Sequence, residues 1–350
     1  MANFLTGLPS PVRKLPIVGA EGAELWVKDD GAIGHHYGGN KLRKLELILP
    51  HAQTRGARRL VTIGAVGSHH VLATVLLAQT IGLPVTGLLF PQPRSDHALA
   101  NLKASLHAGL DARPVSSLKA VPFALGRLLR PGDYLIPAGG SGPIGAQGFY
   151  RAASELAGQV DEGLLPPPDV VVVPLGSGGT AAGLLAGLVA SELKTIVCAV
   201  DVAIGNRASG LLVKGLANWL AARSNLEGAR PSFANQLWIE PRYFGTGYGY
   251  DTREGSSARA TARSLGLELE VTYTSKAFAK ALELGGFPGY DPEAWPTRQA
   301  SVVLERLSAQ LRVSGRPLRV LYWHTLSRIQ PPAPDELEVP YSLMKQFLPR

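Results

Sequence analysis

Apolar and polar positions along the chain fall into blocks that read in turn as strand, turn and helix. Residues 60–63 form a short β-prone run, 64–67 a glycine-bearing turn, and 70–79 a helix ending near Gly82. Residues 85–90 are the next strand, followed by a turn over 91–94 and a helix over 96–108. Further on, 170–173 is wholly apolar, 180–191 is a helix rich in Ala, Leu and Gly, and 195–200 is a strand ending at Asp201. A late strand spans 318–323, with Arg319 its only charge. Strands alternating with helices predict an α/β fold with a mostly parallel sheet.

Two stretches, 60–93 and 170–191, carry no formal charge. Each is interrupted: the first by Ser68, His69, His70, Gln79 and Pro84, the second by Pro174 and the run from Gly176 to Thr180. Such breaks suit a buried strand, a turn and a buried helix, and they argue against a membrane span. The chain has 350 residues, 45% of them apolar and 18% charged, which implies folded domains and excludes a disordered chain. Its 40 glycines imply many places where backbone turns tightly or comes close to something. The net charge of +8 is scattered, with no basic block of the kind that binds nucleic acid. A single cysteine, Cys198, allows no internal disulfide, and residues 1–16 do not resemble a signal peptide. A cytoplasmic protein that binds neither membrane nor nucleic acid is therefore expected.

Three segments carry candidate chemistry. In Gly38-Gly39-Asn40-Lys41-Leu42-Arg43-Lys44-Leu45-Glu46, following Lys28-Asp29-Asp30, a turn places Lys41 at the start of a helix. The helix dipole disfavours an ammonium there, which suits a neutral, nucleophilic amine; the plainer alternative is a solvated surface lysine. In Gly176-Ser177-Gly178-Gly179-Thr180, a turn between strand and helix, backbone N–H groups can cradle a phosphate. The same turn, with Gly176, Gly178 and Ala181 and with Asp201 at the end of the next strand, also fits a nicotinamide-binding fold. An ordinary tight turn is the simplest reading of it. In Gly67-Ser68-His69-His70, Ser68 is a natural helix cap. Neither His69 and His70 nor His35 and His36 have the spacing or carboxylate partner of a metal site, so no metal is expected.

Taken together, these segments resemble the D-cysteine desulfhydrase and 1-aminocyclopropane-1-carboxylate deaminase family. Its members are pyridoxal-phosphate enzymes of fold type II, the tryptophan-synthase-β-like group. The likeness runs in order over residues 9–324, and the lysine segment is its most specific part. Gly139-Gly140-Ser141 with Pro143 and Gly145 is similar to the family's substrate-side loop. Gly247-Tyr248-Gly249 and Val271-Thr272-Tyr273-Thr274-Ser275-Lys276-Ala277 are similar to its tyrosine segments, and His324-Thr325 to its late strand end. Two positions depart from it. Gly67-Ser68-His69-His70 stands where the family usually reads Gln-Ser-Asn-His, and Leu326-Ser327 where it reads Gly-Gly.

The resemblance implies two open, twisted, mostly parallel sheets with flanking helices. Residues 1–43 with 151–330 would form a large cofactor-binding domain, 44–150 a small inserted one, and 331–350 a tail packed on the surface. It implies pyridoxal 5'-phosphate bound to Lys41, which would also shuttle the Cα proton. Gly176, Ser177, Gly178, Gly179 and Thr180 would hold the phosphate, Asn40 and His69 would lie beside the ring, and Thr274 would bond the ring nitrogen. Tyr248 and Tyr273 would flank a small amino-acid substrate, and Ser68 would meet its carboxylate or act in acid–base chemistry. The deaminase branch typically has Glu where this chain has Thr274, which leans towards β-elimination of a D-cysteine-like substrate to ammonia and a 2-oxo acid. A deaminase, racemase or β-replacement enzyme, and a catalytically silent protein of the same fold, are the alternatives. A nicotinamide oxidoreductase ranks below them because it leaves the Lys41 segment unexplained. A homodimer is implied by the family.

Overall fold

In the computed structural model, which describes residues 6–203, 209–224, 232–289, 307, 309, 311, 313 and 315–348, the chain builds two main sheets. The strands are β1 (Val12–Val18), β2 (Glu24–Asp29), β3 (Arg59–Ala65), β4 (Val85–Phe90), β5 (Gln92–Pro93) and β6 (Asp111–Pro114). They continue with β7 (Asp133–Ile136), β8 (Val170–Leu175), β9 (Ile196–Asp201), β10 (Leu237–Glu240), β11 (Arg319–His324) and β12 (Phe347–Leu348). The larger sheet has the order β1-β2-β11-β8-β9-β10 and the smaller β6-β4-β3-β7, while β5 and β12 pair by themselves. Among the described residues only β1 and β2 pair antiparallel; every other pairing there is parallel.

The helices are α1 (Asn40–Thr54), α2 (His69–Gln79), α3 (Asp96–His107), α4 (Val121–Leu128) and α5 (Pro143–Asp161). After them come α6 (Gly179–Ala190), α7 (Ser209–Arg223), α8 (Ser232–Gln236), α9 (Arg253–Ser264) and α10 (Thr274–Gly285). The wholly apolar β8 is buried on both faces. Val170 and Val172 join one core with residues of α9 and α10, while Val171, Val173 and Leu175 join another with α5, α6 and α7. Parallel strands covered on both sides have this continuous apolar character. In the smaller sheet α1, α2 and α3 cover one face and α4 the other.

The uncharged 170–191 stretch is thus a strand, a turn and the buried helix α6. No helix among the described residues is long and apolar enough to cross a membrane. α6 lies directly on α5: a Cβ on Gly183 would stand 2.3 Å from the Ala146 carbonyl oxygen, and one on Gly187 2.5 Å from that of Tyr150. Gly183→Ala is accordingly expected to cost about 1–3 kcal/mol through forced separation of the helices. Urea unfolding measures it, and an unchanged midpoint would mean the helices have slack at that contact.

The chain leaves the larger sheet through α1 and returns to it through α5. Positions 43/44 and 150/151 therefore lie inside these two continuous helices. The C-terminal segment lies on the smaller sheet's side: Leu343 is buried in that core, Val339 and Phe347 pack against it, and Phe347–Leu348 pairs with Gln92–Pro93.

Candidate active site

Strands β3, β4 and β7 of the smaller sheet and β8 and β11 of the larger one direct their carboxyl ends at a single cavity of about 1020 Å³. Open parallel sheets present their ligand sites at this end of the strands. Asn40, Lys41, Ser68, His69, Gly176, Ser177, Gly178, Thr180, Tyr248, Tyr273 and Thr274 all border the cavity. Gly179 is buried just behind it, its N–H donating to Ser141 Oγ at 3.0 Å.

The Lys41 turn is held from several directions. Gly39 has φ +77°, and a Cβ there would lie 2.4 Å from the Thr325 carbonyl oxygen. The Asn40 N–H donates to that same oxygen at 3.1 Å, and the Gly38 N–H to Ser327 Oγ at 2.9 Å. Ser327, in place of a family glycine, therefore braces the turn, while Leu326 borders the cavity. One turn along α1, Arg43 grips both Asp30 oxygens at 2.8 Å and also meets Glu155 of α5. Glu155 is shared with Lys28 at 2.6 Å, and Asp30 accepts from Trp323 Nε1 at 2.7 Å. This buried network fixes α1 against the larger sheet and α5, so that Lys41 faces the cavity.

Lys41 Nζ lies 5.9 Å from the centre of the Tyr273 ring. Its pKa is lowered to about 8, chiefly by burial, with Glu270 acting weakly the other way. Burial, which the sequence does not display at this position, outweighs the helix-dipole argument as the cause. Lys44 reaches the same cavity from α1, its ammonium donating to Gly139 O at 3.1 Å and Ser141 Oγ at 3.2 Å. Among the described residues no carboxylate pairs with it, and burial together with Lys41 pushes its pKa well down. Gly178, with φ +90°, caps α6, whose first turn points at this region. A buried lysine lacking a counter-ion opposite a helix N-terminus is a setting that an anion satisfies.

On the other wall, Ser68 Oγ accepts from the His70 and Val71 N–H groups, which makes it the α2 cap the sequence suggests. Ser68 itself borders the cavity. His70 bonds Thr62 Oγ1 through Nε2 at 2.9 Å, while its buried Nδ1 has no partner. His69 bonds the Tyr37 hydroxyl through Nδ1 at 2.7 Å. Tyr248 and Tyr273 share a hydrogen bond of 2.6 Å between their hydroxyls, and burial raises both phenols, Tyr248 to about 12.

Glu270, Lys44 and Tyr37 are cavity residues that the sequence reading leaves out. Lys44 was findable: three positions after Lys41 on one helix, it must share that face. Glu270 directly precedes the Val271–Ala277 segment and acts within it. Its carboxylate accepts the N–H groups of Thr272, Tyr273 and Thr274 at 2.7–2.8 Å and so caps α10. Thr274 Oγ1 in turn accepts from the Glu270 N–H at 2.8 Å. His35 and His36 border a separate shallow cleft with Gln79 and Gln330, and no group of three or more metal-ligating side chains occurs among the described residues.

The nicotinamide alternative fails at Asp201. That carboxylate is buried and is taken up by the Ala203 N–H at 3.0 Å and the Ser209 hydroxyl. The residues present do fit a phosphate-bearing pyridine. They offer an anion cradle at Lys44 and α6, a buried amine of lowered pKa, a hydroxyl at Thr274 and an unpartnered nitrogen at His70.

Comparison with known proteins agrees. A D-cysteine desulfhydrase of Klebsiella pneumoniae is 33% identical over 294 residues, covering 80% of this chain and 87% of that protein. The nocardicin C-9' epimerase of Nocardia uniformis is 32% identical over 295 residues, covering 81% and 88%. The crystal structure of a homologue of ACC deaminase superposes with a TM-score of 0.69 at 25% identity, covering 92% of this chain and 91% of that one. Its α/β architecture is fold type II, as is that of the two-sheet structure described above. Residues 4–292 match the family model described as pyridoxal-phosphate dependent enzyme, and the chain belongs to that family.

Proposed function

We propose that the protein is a lyase that converts a small, D-cysteine-like amino acid by β-elimination into ammonia and a 2-oxo acid. The observation that carries this reading lies at Thr274. Thr274 borders the cavity with a neutral hydroxyl that donates to Glu270, to Oε1 at 3.2 Å or to the carbonyl oxygen at 3.3 Å, and the Glu270 carboxylate is itself committed to three backbone N–H groups. A ring nitrogen beside a hydroxyl stays unprotonated, and the resulting weaker electron sink suits loss of a good β-leaving group.

Bound pyridoxal phosphate supplies the sink for the electron pair left when a proton leaves Cα. Lys41 would carry the cofactor and afterwards hold the Cα proton at Nζ, a task its lowered pKa suits. Lys44 and the first-turn N–H groups of α6 would hold the phosphate, with Gly176, Ser177, Gly178, Gly179 and Thr180 shaping the cradle. The Thr274 hydroxyl would turn from Glu270 to donate to the ring nitrogen, and Asn40 and His69 would stand along the ring. Ser68 would donate its free proton to the substrate carboxylate. Of the two hydroxyls in the Tyr248–Tyr273 bond, one donates to the other, which leaves one O–H for the departing group. Burial keeps both phenols protonated for that purpose.

A racemase is the second reading, favoured by the same tyrosine pair, because a proton returned to Cα ends the cycle before elimination. We extend the proposal to a cytoplasmic homodimer with the large domain, small domain and tail at the boundaries given above; the family resemblance and the unpaired, buried Cys198 support it.

Purified protein supplied with pyridoxal phosphate is expected to turn yellow, and borohydride to bleach it. D-Cysteine is then expected to yield pyruvate, sulfide and ammonia. Protein that stays colourless overturns the whole reading. Solvent deuterium entering Cα of recovered amino acid without oxo-acid release favours the racemase.

A further inference from the structure

His69 is bonded at both ring nitrogens. Nδ1 meets the Tyr37 hydroxyl at 2.7 Å and Nε2 meets Nε2 of His97 at 2.8 Å, with the two imidazole centres 4.7 Å apart. Tyr37 and His69 border the cavity and His97 does not; it sits half-buried in the first turn of α3, towards solvent. We propose that Tyr37, His69 and His97 form a proton relay between the cavity and the protein surface, with His97 as its outer, positioning member.

The chemistry of the three groups permits no other simple accounting. A neutral imidazole has one donor and one acceptor nitrogen. If Tyr37 donates to His69 Nδ1, then His69 Nε2–H donates to His97 Nε2, and His97 carries its proton on Nδ1. The reverse polarity places every proton at the other end of its bond. In one transfer the Tyr37 oxygen takes a proton from a cavity group as its own passes to His69 Nδ1. The His69 Nε2 proton then passes to His97 Nε2, and the His97 Nδ1 proton passes to water. One proton enters, one leaves, three O–H or N–H bonds form in the chain and three break, and no residue ends charged. Burial, His97 and Lys41 together hold His69 neutral, as this exchange of tautomers requires. Under the proposed lyase reading, on which the catalytic use of the relay rests, the path lets the cavity exchange protons with solvent while its substrate excludes bulk water.

The test uses the cofactor-loaded protein. In His97→Gly, kcat is expected to fall about tenfold, less than the about 10²–10⁴ of a direct proton-transfer group, with KM unchanged. Added imidazole should restore it. Unchanged kcat, or a loss that imidazole does not repair, overturns the relay. A second readout needs no turnover. Nitrogen-15 spectra of wild-type His69 and His97 should show Nδ1 and Nε2 shifts averaged between protonated and bare values, because both polarities are visited. A single frozen polarity overturns the relay even where activity is present. Absence of turnover on any amino acid overturns the lyase reading and leaves the relay to be decided by the spectra.

Discussion

Lys41→Ala protein is expected to bind pyridoxal phosphate only reversibly, with no cofactor retained after borohydride and dialysis, and to lose at least about 10⁴-fold in turnover. That figure is the upper range for one proton-transfer group, and Lys41 also provides the point of attachment. The wild-type reaction carries a pH signature with a definite sign. The ammonium is the unreactive form, and the Lys41 pKa is depressed to about 8 from its ordinary 10.5. The rate at which added cofactor becomes borohydride-fixable should therefore rise with pH and level off above about 8, well before an exposed lysine would. A rate still climbing at pH 10 would mean that the amine is not buried as described. Retained fixation in Lys41→Ala would assign the attachment to another lysine, and buried Lys44 is the neighbour to examine.

Arg43→Met is expected to cost about 3–5 kcal/mol of folding stability, the range for breaking a buried ion pair from one side. The substitution keeps an unbranched chain of similar bulk, so packing changes little. What it removes is the cation paired with Asp30, whose side chain is wholly buried and keeps only neutral donors such as Trp323, and one of the two cations at Glu155. Chemical denaturation of the two proteins measures the difference. A loss under about 1 kcal/mol would place Arg43 among solvent-screened pairs and contradict its burial. Because the same guanidinium joins β2, α1 and α5, the variant should also bind cofactor more weakly in proportion to the disorder of the Lys41 turn.

The strands and helices around the cavity were legible where one residue pattern had one physical solution. The apolar runs at 85–90 and 170–173 are strands because each is covered on both sides, and with Ser68 as its cap α2 begins at His69, one residue before the span read from the pattern. The β1–β2 hairpin was not legible, since Val12–Val18 has adjacent charges at Arg13 and Lys14 and a proline at Pro16, with no regular alternation. Nor was the β12 strand, whose two residues have no pattern of their own and are ordered by the β5 edge. The site divides in the same way. Lysine, glycine and tyrosine segments carry their chemistry in the local sequence. The roles of Ser327 and His97 are long-range: Ser327 acts on Gly38, almost three hundred positions earlier in the chain. The burial that sets the Lys41 pKa is likewise a property of the assembled fold.

The position of β11 in the larger sheet has a consequence for the order of events at the ribosome. β11 lies between β2 and β8, so the hairpin made first and the strands made in mid-chain share no edge until Arg319–His324 has emerged. Thr325, which receives the Asn40 N–H, follows directly, and Leu348 of the cavity wall comes later still. A nascent chain thus exposes Lys41 early but cannot present it in a finished turn. Cofactor capture therefore follows the insertion of this central strand, and closing the long loop to it slows maturation.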